Sequence, residues 1–280
     1  MKLTRTLRRI GLILLVGAFS PTAALWGAQL EAWEYWLQQD PSSTVQVDHG
    51  DWQRLLSQYV SEHQDGINRV AYGNFDQAGK AALNRYLAQL SAIEPTKLNR
   101  QQQLAYWINL YNAQTVKVVL DHPSKASIRS MGPFFAFGPW DEAYLNVEGK
   151  AVTLNDIEHR ILRPIWTDHR LHFVLNCASI GCPNLSRQAY TAENVERRLA
   201  EAETAFLQHP RAITIKADNS LQLSGLFDWY LTDFATDGDA LLTYLATHRR
   251  DLEHLLSRLQ RPYGLSIDYV YDWDLNKNTQ

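Results

Sequence analysis

RLHFVLNCASIGCPNL, residues 170–185, is the stretch from which the organisation of the chain can be predicted most directly. Apolar side chains recur at every second position from 171 to 177, and this period of two predicts a buried β-strand. Pro183 cannot donate to a β-ladder, so the strand ends before it. The two cysteines of the chain, Cys177 and Cys182, lie at the end of this strand and in the loop that follows. We therefore expect the functional site at this strand exit, where reactive thiols are often presented.

The composition is typical of a globular protein. The chain has 280 residues, of which 45% are hydrophobic and 20% charged. Its net charge of −3 provides no basic field for nucleic acid, so we expect no nucleic-acid partner. Nine tryptophans and thirteen tyrosines are a heavy aromatic load. These rings predict either a large aromatic core or an aromatic-lined groove for a ligand.

The N-terminal residues have the pattern of a secretory signal. Four basic side chains precede an apolar run at 10–19; they are Lys2, Arg5, Arg8 and Arg9. A run of about ten apolar residues is too short for a membrane span, which needs about 20. We therefore predict a signal peptide at 1–28, or alternatively an uncleaved N-terminal anchor that would be the only membrane contact. Either predicts a bacterial periplasmic or secreted protein, in an oxidising compartment that permits a disulfide.

The remaining chain is predicted to form one compact α+β domain at 51–276, with helices packed around a mixed or antiparallel sheet. Residues 29–50 are predicted to be an N-terminal segment and linker. Helical periodicity predicts helices that begin at 51 and that span 78–93, 100–120, 156–165, 192–207, 226–234 and 241–259. Alternation and turn residues predict hairpins over 144–154 and 212–223, and a closing strand over 269–276. Thr153 or Asn155 is expected to cap the helix that begins at Asp156.

Two asparagines inside the helix at 100–120 need an explanation. Asn109 and Asn112 lie three residues apart on one side, although asparagine is a poor residue for a helix interior. Either their amides tie down a neighbouring loop, or they face the site and orient a substrate. The aromatic loop at 132–140, which ends at Trp140, is likewise either a lid over a pocket or a flap over the core.

Four motifs together resemble the DUF547 family, in the order found in that family. They are YWINLYNA (106–113), LNDIEHRILR (154–163), RLHFVLNCASIGCPNL (170–185) and YDWDLN (271–276). The resemblance covers roughly residues 95–276 and implies a single α/β module of unknown function, as found in secreted bacterial proteins. In eukaryotes the family module occurs beside other domains, including glutaredoxin-like ones, which points to thiol chemistry. The second cysteine position can carry serine in the family, so the resemblance gives more weight to Cys177 than to Cys182.

One hypothesis is a cysteine-dependent hydrolase or acyl transferase acting on a peptide or amide. Cys177 would be the nucleophile, and His159 would be the base that favours the thiolate. Glu158 or Asn109 would orient the imidazole. His172 is a competing base, ranked second because a regular strand would place it on the face opposite Cys177. The predicted substrate-binding residues are Asn112, Tyr111, His172 and Trp140.

The alternative is a non-catalytic binding module, whose aromatic groove holds an unknown peptide or small-molecule ligand. Cys177 and Cys182 would then form a structural disulfide, worth at most about 2–3 kcal/mol through chain entropy. Their spacing is not the C-x-x-C spacing of thioredoxin-like enzymes, so a structural disulfide is favoured over a redox role. A zinc site made of these cysteines with His159 and His172 is a further alternative. We predict no metal and no cofactor, and a count of free thiols would separate the enzyme from the binding module.

Overall fold

The computed structural model describes residues 31–259 and 265–278. The predicted signal peptide at 1–28 lies outside the described residues. None of the helices in the described ranges is long and apolar enough to cross a lipid bilayer.

Helices make up about half of the described chain. The α-helices are α1 (Gly50–Tyr59), α2 (Gln77–Ser91), α3 (Arg100–Asp121), α4 (Arg163–Trp166), α5 (Val195–Gln208), α6 (Leu226–Trp229), α7 (Leu231–Phe234), α8 (Gly238–His248) and α9 (Arg250–Leu259). A π-helix, Asp156–Leu162, leads directly into α4. Short 3₁₀ turns occur at Glu34–Leu37, Tyr72–Asn74, Pro95–Lys97, Ile128–Ser130 and His169–Phe173. Side-chain caps begin α2 and α3: Asp76 accepts from the Gly79 amide, and Asn99 from the Gln102 amide.

Within the described residues, the strands form three small sheets. They are β1 (Val60–Glu62), β2 (Asn68–Val70), β3 (Leu145–Val147), β4 (Lys150–Val152), β5 (Ile213–Ile215), β6 (Leu221–Ser224) and β7 (Ile267–Val270). β1 pairs with β2 and β3 with β4, both antiparallel, while β6 pairs antiparallel with β5 and parallel with β7. The predicted α+β class is confirmed, with the strands distributed over three sheets instead of one.

Both predicted hairpins are confirmed. Glu148 and Gly149 connect β3 to β4 and both have positive φ, as a two-residue hairpin turn requires. In the turn between β5 and β6, Asn219 also has positive φ, a conformation that asparagine tolerates better than most residues. Local turn chemistry therefore determined these two elements.

The centre of the fold is α3. Ala105, Ile108 and Leu110 lie on different sides of this helix and are all completely buried. A helix that is buried on all sides must be surrounded by other elements. Around it lies the larger apolar core, while the three-stranded sheet packs with α8 and α9 in a second core that contains Leu223, Leu245 and Leu252.

The predicted strand at 171–177 is wrong. Its first part is the 3₁₀ turn His169–Phe173, and the nearest β pairing is an isolated bridge between Ser179 and Leu275. The alternating pattern misled because consecutive side chains from 171 to 176 are all buried. The amide of Asn112 accepts from the Asn176 N–H and donates to the Val174 carbonyl, at 2.8 and 2.9 Å. This one side chain satisfies backbone groups that a neighbouring strand would otherwise have to satisfy.

The predicted helix at 241–259 is interrupted. Arg249 has an extended backbone between α8 and α9, and its guanidinium donates to the carbonyls of Leu207 and Ile213. The predicted helix at 226–234 is likewise two short helices that meet at Tyr230. Of the closing strand predicted at 269–276, only residues 269–270 belong to a strand, β7, and residues 271–274 are irregular. Tertiary contacts thus override the local helical and strand patterns in this half of the chain.

The segment predicted as an N-terminal segment and linker contributes to the core. Trp36, in the 3₁₀ turn Glu34–Leu37, is 1% exposed, and its ring packs edge-to-face on Trp107 of α3, with centroids 5.0 Å apart. His49, just before α1, is also buried. The linker-like residues 41–44 between them are mostly exposed.

Candidate functional site

A cavity of about 140 Å³ lies beside the two cysteines. Its walls come from the π-helix, the loop that carries the cysteines, the α6–α7 junction and the irregular segment after β7. Among the described residues, seven aromatic rings line it: Tyr111, Phe137, Trp140, Trp229, Tyr230, Tyr271 and Trp273. A cavity of about 150 Å³ is large enough to hold benzene, so this one suits a small organic ligand.

Most of the residues predicted from the sequence as site residues meet at this cavity. The lining includes Tyr111, Trp140, Glu158, His159, His172 and Cys177. The predicted Asn109 and Asn112 are not among the lining residues. The structure therefore brings together side chains from three of the sequence motifs, while their chemical roles remain predictions.

Asn109 ties down a loop. Its Nδ2 donates to the Tyr190 carbonyl at 2.7 Å, and the Tyr190 amide donates to its Oδ1 at 3.1 Å. The Asn109 amide also lies 3.3 Å from Nδ1 of the buried His49 ring. Both the nitrogen and the oxygen of this amide thus have partners within the protein.

Asn112 supports the cysteine loop in the same way. Through its bonds to Val174 and Asn176 it holds the backbone just before Cys177. The side chain of Asn176 continues this support, because it accepts from the Ala178 amide and donates to the Pro183 carbonyl. Asn112 thus contacts the site through the backbone of the loop.

Local sequence explains how the π-helix begins. The Asp156 amide donates to Oγ1 of Thr153 at 2.9 Å, and the Thr153 amide donates to the Asp156 carboxylate at 3.0 Å. This reciprocal pair is a capping box, and it confirms Thr153 as the predicted cap. The helix then presents two consecutive residues, Glu158 and His159, to the cavity. Wide π-helical turns are frequent at functional sites.

Glu158 is a buried carboxylate in this aromatic cavity. The Tyr111 hydroxyl donates to its Oε2 at 3.0 Å, and Tyr230 makes a further side-chain hydrogen bond to it. Burial alone would raise the pKa of Glu158. Electrostatic interactions with His159, His172 and Arg163, together with the Tyr111 hydroxyl, outweigh burial and lower that pKa below its ordinary value. Glu158 is therefore ionised at neutral pH.

A charged pair behind the wall orients the two histidines. Arg163 donates through Nε and Nη2 to both oxygens of Asp233, at 2.6 and 2.9 Å. Arg163 Nη1 also donates to Nδ1 of His159 at 3.0 Å, and Nε2 of His172 donates to Asp233 at 2.7 Å. The hydrogen bonds from His172 and Arg163 overcome the effect of burial and hold the pKa of Asp233 far below its usual range.

His159 is held as a neutral acceptor. Burial lowers its pKa, although the Glu158 charge opposes this. Because an arginine has only donors, Nδ1 of His159 must accept from Arg163, which places the proton of the neutral ring on Nε2. The nitrogen that a general base would use is thus occupied.

The two cysteines form a disulfide, Cys177–Cys182, and both line the cavity. Cys177 is partly exposed, whereas Cys182 is 3% exposed. The Tyr271 hydroxyl lies 3.1 Å from Cys177 Sγ, and the Cys177 amide donates to Cys182 Sγ at 2.8 Å. Within the described ranges, no group of three or more histidine, cysteine or acidic side chains is arranged to hold a metal ion.

Several wall residues were not predicted as site residues. Trp229, Tyr271 and Trp273 pack on one another, with ring centroids 4.6 to 5.6 Å apart. The sequence did carry a signal, because two of them lie in the YDWDLN motif, but we assigned that motif to a strand. Arg163 and Asp233 were also missed, and 70 residues separate them in the chain.

The geometry defines an α+β protein with a small aromatic cavity, one buried carboxylate and a disulfide in the wall. Residues 95–207 match the model of the family described as "Protein of unknown function, DUF547", so this segment belongs to that family and the resemblance is confirmed there. The segment contains α3, the π-helix and both cysteines, while the aromatic wall at 226–273 lies beyond it. No curated protein and no solved structure matches the chain.

Proposed function

We propose that this protein is a binding module that holds a small organic cation in its aromatic cavity. The observation that carries the proposal is the ionised carboxylate of Glu158 among seven aromatic rings. None of the described residues lining the cavity is a lysine or arginine. The nearby cation, Arg163, is already neutralised by its two-point contact with Asp233.

A cation would gain two kinds of interaction in this cavity. Aromatic faces attract cations by about 2 kcal/mol when both are shielded from water. The Arg163 guanidinium already lies 4.7 Å from the centre of the Tyr230 ring. A buried carboxylate adds a Coulomb attraction that is stronger than it would be in water. The cavity volume of about 140 Å³ sets the ligand size close to that of a tetraalkylammonium head group.

The experiment is a calorimetric titration of the purified protein with choline as the probe. We expect binding to the wild type, and an affinity at least about tenfold lower in Glu158→Gln, because the counter-charge is lost while the shape is kept. Glu253→Gln, which removes an exposed carboxylate on α9, is the matched control and should bind like the wild type. Equal binding by the wild type and Glu158→Gln, or no binding to either, would reject the proposal.

A cysteine-dependent hydrolase or acyl transferase is the second candidate. It is favoured by one observation, that Cys177, His159 and Glu158 line the same cavity. It requires a reduced Cys177 and a free acceptor nitrogen on His159, and these are engaged by Cys182 and Arg163. Amide and ester turnover by the reduced protein, abolished in Cys177→Ala, would favour this candidate. The binding module predicts no turnover in either redox state.

We further propose that the protein acts in the periplasm or is secreted. The proposal is supported by the basic and apolar pattern of residues 2–19, and it agrees with a disulfide, which persists in oxidising compartments. Fractionation of bacteria that produce the full chain tests it. The chain should be found outside the cytoplasm, and a variant that lacks residues 2–28 should remain in the cytoplasm.

A further inference from the structure

The two sulfurs of the disulfide differ in their surroundings. Cys177 is partly exposed at the cavity wall, whereas Cys182 is 3% exposed. A thiol in the cavity would therefore reach Cys177 Sγ more readily than Cys182 Sγ. Access to one sulfur of a disulfide decides which sulfur is attacked in exchange.

The hydrogen bonds around the disulfide also favour attack on Cys177 with Cys182 as the leaving group. The Cys177 amide donates to Cys182 Sγ at 2.8 Å, so a negative charge that develops on Cys182 would be stabilised at once. Ser179 donates to the Tyr271 oxygen at 3.2 Å, and the Tyr271 hydroxyl lies 3.1 Å from Cys177 Sγ. This hydroxyl would stabilise the Cys177 thiolate once the disulfide is reduced.

We propose that the Cys177–Cys182 disulfide is exchangeable, and that a small thiol entering the cavity attacks Cys177 while Cys182 leaves. In the first step the thiolate sulfur bonds to Cys177 Sγ, the bond between the two cysteines breaks, and its electron pair goes to Cys182 Sγ. In the second step another thiolate attacks the mixed disulfide at the small-molecule sulfur and releases the Cys177 thiolate. Two thiols are thereby oxidised to one small disulfide, and the two cysteines are reduced to thiols after they take up two protons.

This activity is independent of cation binding, and a neutral probe keeps the two proposals separate. The oxidised full chain is incubated with 2-mercaptoethanol without denaturant, and iodoacetamide traps the products at short times. Peptide mass spectrometry should locate the mixed disulfide on Cys177 and the alkyl group on Cys182. The reverse assignment, or a disulfide that is reduced only after denaturation, overturns the proposal.

Single-cysteine variants provide a second measurement that does not need a long-lived intermediate. Cys182→Ser leaves Cys177 as the thiol, and Cys177→Ser leaves Cys182. We expect iodoacetamide to alkylate Cys177 at least about tenfold faster than Cys182 in the folded variants, because thiolate access controls reactivity. Equal rates, or a faster Cys182, count against the proposal.

The role of the hydroxyl is tested in the Cys182→Ser background. Adding Tyr271→Phe should slow alkylation of Cys177 by roughly tenfold, the effect expected for one hydrogen bond to a charged group. Tyr269→Phe, on β7 two residues away and half-exposed, is the matched control and should leave the rate unchanged. If both substitutions have the same effect, Tyr271 does not act through the sulfur.

Discussion

Two buried polar clusters lie next to each other around α3, and they differ in their hydrogen-bond partners within the protein. The amide cluster, formed by Asn109, Asn112 and His49, is hydrogen-bonded chiefly to loop backbone. The cavity cluster contains Glu158 with the charged and imidazole side chains of His159, His172, Arg163 and Asp233, and these bind one another. One turn of α3 serves both clusters, since Tyr111 lies between the two asparagines and donates to Glu158.

The difference shows how a buried polar group can be assigned to scaffold or to function. An amide whose donors and acceptor are all used by backbone fixes a loop and has nothing left for a ligand. An ionised carboxylate beside a cavity keeps a charge that a ligand can meet. Substitutions in the amide cluster should therefore lower stability without changing ligand affinity, whereas substitutions in the cavity cluster should lower ligand affinity.

The largest effect is expected when the ion pair of the cavity cluster is broken. Asp233→Ala leaves Arg163, 7% exposed, without its carboxylate. Unfolding experiments in urea should show a loss of about 4 kcal/mol, because an unpaired buried charge is strongly destabilising. Choline affinity should also fall, since the Arg163 charge is then no longer neutralised beside the cavity.

Asp239→Ala removes an exposed carboxylate from α8 and is the control for this substitution. It should change stability by less than about 0.5 kcal/mol. A stable Asp233→Ala protein with wild-type affinity would show that the pair does not support the site.

A smaller loss of stability, with no loss of binding, is expected in the amide cluster. Asn109→Ala leaves the buried backbone N–H and C=O of Tyr190 without partners. We expect the free energy of unfolding to fall by about 3 kcal/mol. Choline should still bind with nearly wild-type affinity under conditions where the variant is folded.

The exposed Gln101, on the same helix, provides the matched control, and Gln101→Ala should be nearly neutral. If Asn109→Ala binds choline much more weakly while it remains as stable as the wild type, Asn109 belongs to the site and the division between the clusters is wrong.

The pH dependence of stability gives a finer test of the amide cluster. Burial lowers the pKa of His49 to about 4, from an ordinary value of 6.5. Between these values the unfolded chain binds a proton that the folded chain does not, so stability falls as the pH falls from 6.5 to 4. The contribution of His49 to this fall is about 3 kcal/mol.

The measurement compares urea unfolding of the wild type and His49→Gln at several pH values in that range. The free energy of unfolding of the variant should fall less steeply as the pH falls. The difference between the two slopes should correspond to at most about one proton bound on unfolding. Burial also lowers the pKa of His159, which acts in the same direction in both proteins. Identical slopes would mean that His49 is not held neutral.

Local signals in the sequence predicted a large part of the fold. The bounds of α3, the two hairpins and the Thr153 cap follow from helical spacing, turn residues and capping chemistry. Most of the site residues predicted from the motifs also meet at one cavity, because the helix with Glu158 and the cysteine loop both contact α3.

The remaining features depend on contacts that no local pattern encodes. No strand forms at 171–177, because the amide of Asn112, more than 60 residues away, hydrogen-bonds the backbone groups of Val174 and Asn176. The partners Asp233 and Arg163, and the wall formed by Trp229 and Trp273, are brought to the site only by tertiary packing. The sequence therefore indicated both the candidate nucleophile and, as one of two alternatives, its disulfide with Cys182, which the structure contains. It did not indicate the pair of Arg163 and Asp233 that contacts the two histidines.

Selection of a positive charge by the cavity is tested with two probes of the same shape. Choline and its neutral carbon isostere, 3,3-dimethylbutan-1-ol, are titrated calorimetrically into the wild-type protein at pH 7. Choline should bind at least about tenfold more tightly, because only the cation gains from Glu158 and the aromatic faces. Equal affinities, or tighter binding of the neutral alcohol, would contradict it.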